Sequence, residues 1–438
     1  MKKILMVCGY TYNCRVDLID VLNRTNSLGG NSGNMMFISG VQRILMDDNV
    51  TIYPTYYRSV FTSFEIDFIN SEFSCFILPL ADAFRSDNIR YLEELTLFIK
   101  KLKIPCYVIG VGLRAEYEPR LSEPRPFDDT VKNFLSVVLD KSSLIGVRGL
   151  ITGEYLSKLG YKEDSHWMAI GCPSMSTLLS KGMIRQRIGG GGGKANIEVC
   201  LHRLALIANT LESAQVSDYL LNAARLFEDY EVICQKHFEY EDIYLGGFSQ
   251  LHKGRIGQPE NIFGGNYDLL YRQNKLKVFT DVCDWVSYMK NFDFCLSARF
   301  HGGVASILAD VPTIIFPIDS RMRELVEYHR IPYIHISALG KDILSVLDEV
   351  DLRSYLYVWR TNFDRFKTFL NINDICSNIF SEEMNENSLN SFYSCKAVLP
   401  ISNFDNIPIT SKVRRFNSYF GGKIKYRYNR RIIHEISD

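Results

Sequence analysis

The chain has 438 residues, more than one ordinary domain holds, so two domains with additional helices are expected. Its 46% hydrophobic and 23% charged residues suit a soluble globular protein and exclude a disordered or fibrous one. Lys plus Arg and Asp plus Glu each number 50, so no global field points to nucleic acid or to a strongly acidic partner.

The first apolar run, Ile4–Gly9, is too short for the core of a signal peptide and leads into Tyr10-Thr11-Tyr12-Asn13 without a cleavage pattern. It is expected as a buried strand. Further strands are expected at Val50–Pro54, Cys75–Leu80, Cys106–Val111, Leu144–Val147 and Trp167–Ile170. Amphipathic stretches lie between them, as at Asp87–Lys103, where Ile89, Leu92, Leu95, Leu97 and Ile99 alternate with charges. Continuous apolar strands separated by helices predict a parallel sheet covered on both faces. No apolar run approaches the roughly 18 residues of a membrane span, and the expected location is cytoplasmic. The 11 Cys residues are scattered without a CxxC pair, as expected of reduced buried thiols rather than a metal or disulfide framework.

The pattern breaks at the five glycines Gly189 to Gly193, which have no side chains to bury and read as a flexible linker, native or introduced. It then restarts. Strands are expected at Ile197–Leu201, Glu231–Gln235, Lys277–Thr280, Phe292–Leu296, Thr313–Pro317 and Tyr333–Ile336. Helices are expected at Val216–Phe227, Val282–Met289, Val304–Ala309 and Arg321–Tyr328. The expected fold class is therefore α/β, with two Rossmann-like doubly wound domains facing a central cleft. Residues 1–185 form the first, 186–195 the linker and 196–340 the second. A helical extension at 341–381 and a polar loop with a basic aromatic tail at 382–438 complete the chain. In such folds ligands bind at the carboxyl ends of the strands.

Between Lys412 and Arg431 the tail carries Lys412, Arg414, Arg415, Lys423, Lys425, Arg427, Arg430 and Arg431 with no acid, and Phe416, Tyr419, Phe420, Tyr426 and Tyr428 are interleaved. That mixture suits an anionic lipid interface, where each cation contributes about 1 kcal/mol, or equally a solvated charged tail. Nucleic acid is not an expected partner.

The most informative segment is Phe294-Cys295-Leu296-Ser297-Ala298-Arg299-Phe300-His301-Gly302-Gly303-Val304. A buried strand stops at polar residues, and a glycine pair opens the next helix, whose N-terminus offers amide groups to an anion. Arg299 can grip a carboxylate or phosphate, and His301 can move protons near neutral pH. Ser-x-Arg-x-His-Gly followed by Val311-Pro312-Thr313-Ile314-Ile315-Phe316-Pro317, Asp319-Ser320-Arg321-Met322-Arg323-Glu324-Leu325 and Tyr328-His329-Arg330-Ile331-Pro332 resembles the polysaccharide pyruvyl transferase family. Gly30-Asn31-Ser32-Gly33-Asn34, Ile145-Gly146-Val147-Arg148 and Gly171-Cys172-Pro173-Ser174 resemble three more of its segments, in the family's order. Gly149 departs from it, standing where many members have Asp.

The resemblance implies a fold like two-domain (GT-B) glycosyltransferases, phosphoenolpyruvate as donor and co-substrate, no other cofactor, no metal, and a saccharide acceptor made into a pyruvate ketal. Phosphoenolpyruvate carries two anionic groups, so Arg299, Arg203, Arg321 and the backbone at Gly302 and Gly303 are the expected donor-binding elements. Arg203 is included because it would end the first strand of the second half. His301 is the expected acid or base, and Asn31, Asn34 and Arg148 are expected on the acceptor side. Cys172 is not expected to act as a nucleophile, since no base is fixed near it by sequence. The tail suggests an acceptor carried on a polyprenyl diphosphate and peripheral contact with the membrane's inner face. The main alternative is a glycosyltransferase using a nucleotide sugar, which calls for acids where this chain has Arg and His. A non-catalytic binding protein is a third reading, opposed by the presence of both Arg299 and His301.

Overall fold

The computed structural model describes residues 2–11, 18–23, 28–45, 49–178, 203–207, 214–246, 267–335, 349–375, 401 and 403–422, with residues 343 and 346. The glycine run, the strand expected at Ile197–Leu201 and the polar loop at 382–400 lie outside them.

The first half alternates strands β1 (Lys2–Met6), β2 (Val50–Pro54), β3 (Cys75–Leu78), β4 (Cys106–Val108), β5 (Ile145–Val147) and β6 (Trp167–Ala169) with helices. These helices are α1 (Leu18–Asn23), α2 (Gly33–Ile44), α3 (Ser63–Glu72), α4 (Ile89–Lys101), α5 (Asp128–Leu139) and α6 (Leu150–Lys158). The strands pair in parallel in the order β2-β1-β3-β4, and a bridge between Val111 and Val147 joins this sheet to the β5-β6 pair. Ile77, Leu78, Val108 and Val147 are fully buried, as strands covered on both faces must be. Local chemistry marks the helix starts: Thr62 and Glu65 form a capping box before α3.

The second half repeats the plan with strands β7 (Arg203–Ile207), β8 (Asp229–Ile233), β9 (Leu276–Lys277), β10 (Phe294–Ser297) and β11 (Thr313–Ile315). Its helices are α7 (Ala214–Ala224), α8 (His237–Leu245), α9 (Tyr267–Arg272), α10 (Val282–Met289), α11 (Phe300–Leu308) and α12 (Ser320–His329). The sheet is parallel, in the order β11-β10-β7-β8-β9. The strand expected at Tyr333–Ile336 is reduced to one bridge, from Tyr333 to Ile315. Two parallel α/β sheets wrapped by helices and facing each other across a cleft are the expected GT-B-like class.

The helix after β10 starts at Phe300, four residues before the expected Val304, so the glycines lie inside its first turn. A Cβ at position 303 would come 2.7 Å from Ile315 Cδ1, so Gly303 lets α11 close onto β11. Helix α13 (Tyr355–Ile372) then crosses from the second half back to the first. Asn362 Nδ2 donates to Tyr328 O (2.9 Å), Arg365 Nε donates to Ala169 O (3.0 Å), and Asn373 Oδ1 accepts from the amides of Ser143 and Leu144. The basic tail is helical over residues 409–422, here called α14.

Helix α2 is buried along nearly its whole length and touches both halves. A Cβ at Gly40 would sit 2.6 Å from Pro173 C and Ser174 N, which are backbone atoms with little room to retreat. Gly40→Ala should therefore destabilise the fold by about 1–3 kcal/mol, read as a lowered melting temperature. Gly421→Ala, with nothing within 4 Å, should leave the melting temperature unchanged or raise it slightly.

Candidate active site

The carboxyl ends of the first-half strands deliver one polar residue after another to the cleft. Asp82 follows β3, Arg114 follows β4, Arg148 follows β5 and Cys172 follows β6. Arg85 Nη1 lies 2.9 Å and Arg321 Nη1 2.8 Å from Asp82 Oδ2, with Arg114 Nη1 3.9 Å away. Burial alone would raise the Asp82 pKa, but Arg321, Arg85, Arg148 and Arg114 together hold it well below the usual carboxylate range. Arg321 also bonds Asp319 Oδ2 at 3.0 Å, so it pairs with its own helix cap while reaching across the cleft.

Arg148 is 2% exposed, donates from Nε to Gly110 O (3.0 Å) and lies over the Phe37 ring at 4.7 Å. Its Nη2 is buried without a hydrogen-bond partner. A guanidinium taken out of water with an unused N–H is costly, and an anion in the cleft would offset that cost.

From the second half, Arg299 is the N-cap residue of α11, in extended conformation and with no side-chain cap, and His301 is the helix's second residue. Burial, then Arg148 and Arg321, push the imidazole pKa well below its ordinary value, with Asp82 opposing. His301 is thus neutral near pH 7. Its Nε2 lies 3.5 Å from Cys172 Sγ, which is itself 2.9 Å from Ser174 Oγ. Sequence alone did not anticipate this pairing. Burial raises the Cys172 pKa, so the contact joins a thiol to a neutral imidazole, not a thiolate to an imidazolium.

The halves are fastened around this point. The Cys172 amide donates to His329 Nε2 of α12 (2.8 Å), and Thr152 donates from its amide (2.9 Å) and hydroxyl (2.8 Å) to the Glu324 carboxylate. Burial raises the Glu324 pKa to about 7 against the pull of Thr152 and Arg148. Gly149 packs on this same residue: a Cβ there would come within 3.0 Å of Glu324 Cβ.

Asn31 and Asn34 spend their side chains on their own turn. Asn31 Oδ1 accepts from the Gly33 amide (2.7 Å), and Asn34 Nδ2 donates to Leu28 O (3.0 Å) and Gly29 O (3.2 Å). The turn then docks on the second half, where the Ser32 amide donates to Gln235 O (3.1 Å). Burial raises the pKa of Glu239, with the charge of Arg299 opposing, and Glu239 Oε2 accepts the amides of Gln235 and Lys236 at 2.7 Å each.

The structure thus brings His301, Arg148 and Arg321 together, with Arg299 on the flank toward Asn31. Gly302 is buried in the first turn of α11 and Gly303 serves packing. The expectation for Arg203 is corrected. It begins β7 rather than ending a strand, and Ile207, not Arg203, lies level with Ser297. Four residues of strand, roughly 13 Å, separate it from that edge. The apolar run that pairs with β10 is Leu204 to Ile207, later than the hydrophobic pattern suggested. Asp82, Arg85, Arg114, Glu239 and Glu324 were missed. For Asp82 and Arg114 the available signal was their place just after an apolar strand. Among the described residues, no group of three or more His, Cys, Asp or Glu could hold a metal ion.

Burial lowers the His329 pKa from 6.5 to about 3. Between those values the unfolded chain binds the extra proton, so stability falls as pH drops through the window. His329→Gln keeps an acceptor for the Cys172 amide but cannot titrate. The stability of wild type relative to this variant should therefore decline by up to ~1.4 kcal/mol per pH unit from about pH 6.5 downward, measured by urea unfolding. A difference independent of pH would mean that folding leaves the His329 pKa unshifted, against a neutral ring held as acceptor for the Cys172 amide.

Among solved structures, the chain is similar to the Methanocaldococcus jannaschii UDP-GlcNAc 2-epimerase in complex with UDP-GlcNAc and UDP. That match has 12% identity and a TM-score of 0.40, covering 82% of this chain and 99% of that one. It is also similar to Anabaena HepE in complex with UDP-glucose (10% identity, TM-score 0.42, 85% and 99% covered). S. aureus MnaA with UDP compares at 12% identity and TM-score 0.41, with 85% and 98% covered. No curated protein matches the sequence. The family model for polysaccharide pyruvyl transferase matches residues 31–320, which take in the Asn31 turn, Asp82, Arg148, Cys172 and His301, and the chain belongs to that family.

Proposed function

We propose that this transferase-family protein moves the enolpyruvyl group of phosphoenolpyruvate onto two hydroxyls of a saccharide, forming a cyclic pyruvate ketal and releasing phosphate. The observation that carries the reading is the buried Arg148 with its unused Nη2, set beside a neutral His301 at the uncapped start of α11. Two anionic groups on one small donor call for separate cationic contacts. Arg148 and the amides opening α11 supply them, with Arg321 adding charge and Arg299 on the acceptor flank.

The chemistry adds a saccharide oxygen to C2 of the donor while C3 gains a proton and becomes a methyl group. Neutral His301 accepts the hydroxyl proton. Because its pKa is depressed, the imidazolium that results is a strong acid, able to protonate carbon or the departing group. The C2–O bond to phosphate breaks with its electron pair on phosphate, and a second hydroxyl closes the ring as it loses its proton. Arginines already fixed around the cleft stabilise the negative charge as it shifts to phosphate. No resident cofactor enters this scheme. The proposed acceptor is a saccharide on a polyprenyl diphosphate carrier, met at the inner face of the membrane.

Phosphoenolpyruvate at about 100 times its Kd should stabilise the wild type by ~2.7 kcal/mol, seen as a raised melting temperature. Arg148→Lys, which keeps the charge but loses the planar fork, should reduce that shift. His301→Ala should retain the shift and lose turnover by about 10²- to 10⁴-fold. Stabilisation by a nucleotide sugar, with none by phosphoenolpyruvate, would overturn the proposal in favour of glycosyl transfer.

A further inference from the structure

Helix α14 has two faces with different tasks. On the inner face, Tyr419 is buried, its hydroxyl donating to Glu241 Oε1 (2.9 Å), and Arg415 lies 4.9 Å over the Tyr244 ring. Gly422 closes against α1, where a Cβ would meet Asn23 Nδ2 at 2.3 Å. These contacts fix the helix on α8 and α1.

The outer face presents Ile409 (77% exposed), Val413 (55%), Phe416 (37%) and Phe420 (45%). Spacings of four, three and four residues hold these side chains within an arc of about 60° on one side of the helix. The Phe416 and Phe420 ring centroids are 4.5 Å apart. Single exposed apolar residues are ordinary, but a continuous stripe on a helix otherwise anchored to the protein is a contact surface. Lys412 borders the stripe on one side, where its Nζ donates to Asp405 O (3.3 Å) and lies 5.2 Å over the Phe404 ring, and the exposed Arg414 projects from the helix about 100° beyond the other edge. The chain carries no acid from Ile409 to Arg431, and Lys423, Lys425, Arg427, Arg430 and Arg431 follow the helix in sequence.

We infer that α14 lies flat on an anionic lipid bilayer, with Ile409, Val413, Phe416 and Phe420 entering the headgroup–acyl boundary while Lys412 and Arg414 meet lipid phosphates. An apolar stripe on a helix whose charged residues, Lys412, Arg414 and Arg415, are all cations matches such a surface on both counts. The placement matters for the cleft. Helix α8 follows directly on Gln235 and Lys236, the residues that receive the Asn31 turn, and His237 Nε2 is 3.2 Å from Leu22 O of α1. Docking through α14 therefore sets the Asn31 side of the cleft beside the bilayer, where a lipid-linked saccharide would arrive. This last step rests on the proposed acceptor, whereas the docking itself does not.

The test is co-sedimentation of the full chain with phosphatidylcholine vesicles, with and without phosphatidylglycerol. Wild type should pellet with the mixed vesicles and stay in solution with phosphatidylcholine alone. Raising salt to about 1 M, where the Debye length is about 3 Å, should release most of it. Val413→Asp combined with Phe420→Asp should lower the partition by about 10-fold or more, with an unchanged melting temperature. Wild type that stays in solution with both vesicles, or a variant that pellets as wild type does, would overturn the inference. So would equal binding to neutral vesicles, or a dimer that the variant converts to monomer without lipid, which would make the stripe a contact between copies. The donor-induced melting shift is read without vesicles, so failure of the docking and failure of the donor assignment are told apart.

Discussion

Everything at the cleft depends on one carboxylate. Asp82 is half-buried, and its own desolvation would favour the neutral acid, yet four arginines from both halves hold it ionised. In return, one negative charge lets Arg85, Arg114, Arg148 and Arg321 converge where their mutual repulsion would otherwise force them apart. Charges this close interact strongly in a partly dry cleft, where screening by water is weak. The result is a site with a surplus of positive charge. That surplus acts on His301 as well, helping to keep the imidazole unprotonated.

No single domain contains this arrangement. His301 and Arg321 belong to the second half, whereas Asp82, Arg148 and Cys172 belong to the first. The contacts that join them sit around this cluster: Arg321 to Asp82, His329 to the Cys172 amide, and Glu324 to Thr152. Helix α2 runs between the halves, and α13 ties them from outside. Local order at the site is therefore inherited from packing between domains. A substitution far from His301 in sequence, such as one at Gly40, acts on the site through the turn that carries Cys172.

Much of this was legible from sequence wherever the signal is local. Val50–Pro54 and Val282–Met289 have the expected bounds, because a short apolar run and a capped amphipathic helix each declare themselves within a few residues. The Arg-x-His segment was legible for the same reason, being one strand end and one helix start. Its helix boundary was not, since a glycine pair reads as a loop until the Ile315 side chain that needs the space is known. What stayed hidden was long-range. Asp82 and Arg321 are 239 residues apart, Thr152 and Glu324 172, and Cys172 and His301 129. Periodicity carries no information at such separations. Arg203 failed differently: the apolar stretch from Ile197 to Ile207 is interrupted by polar residues, and the part that pairs begins later than the hydrophobic pattern alone implies.

The Gly149 and Glu324 contact has a consequence for how this chain can change. A Cβ at position 149 would crowd the Glu324 Cβ, backbone oxygen and Cγ at 3.0 to 3.2 Å. An aspartate at 149 would add a second carboxylate beside one that burial has already pushed toward neutrality. The two positions therefore form a coupled exchange: the acid can stand on either side of the cleft, but not on both. Moving it from α12 to the β5 strand end would take a double replacement, and each single intermediate would either leave Thr152 without its acceptor or set two acids in one space.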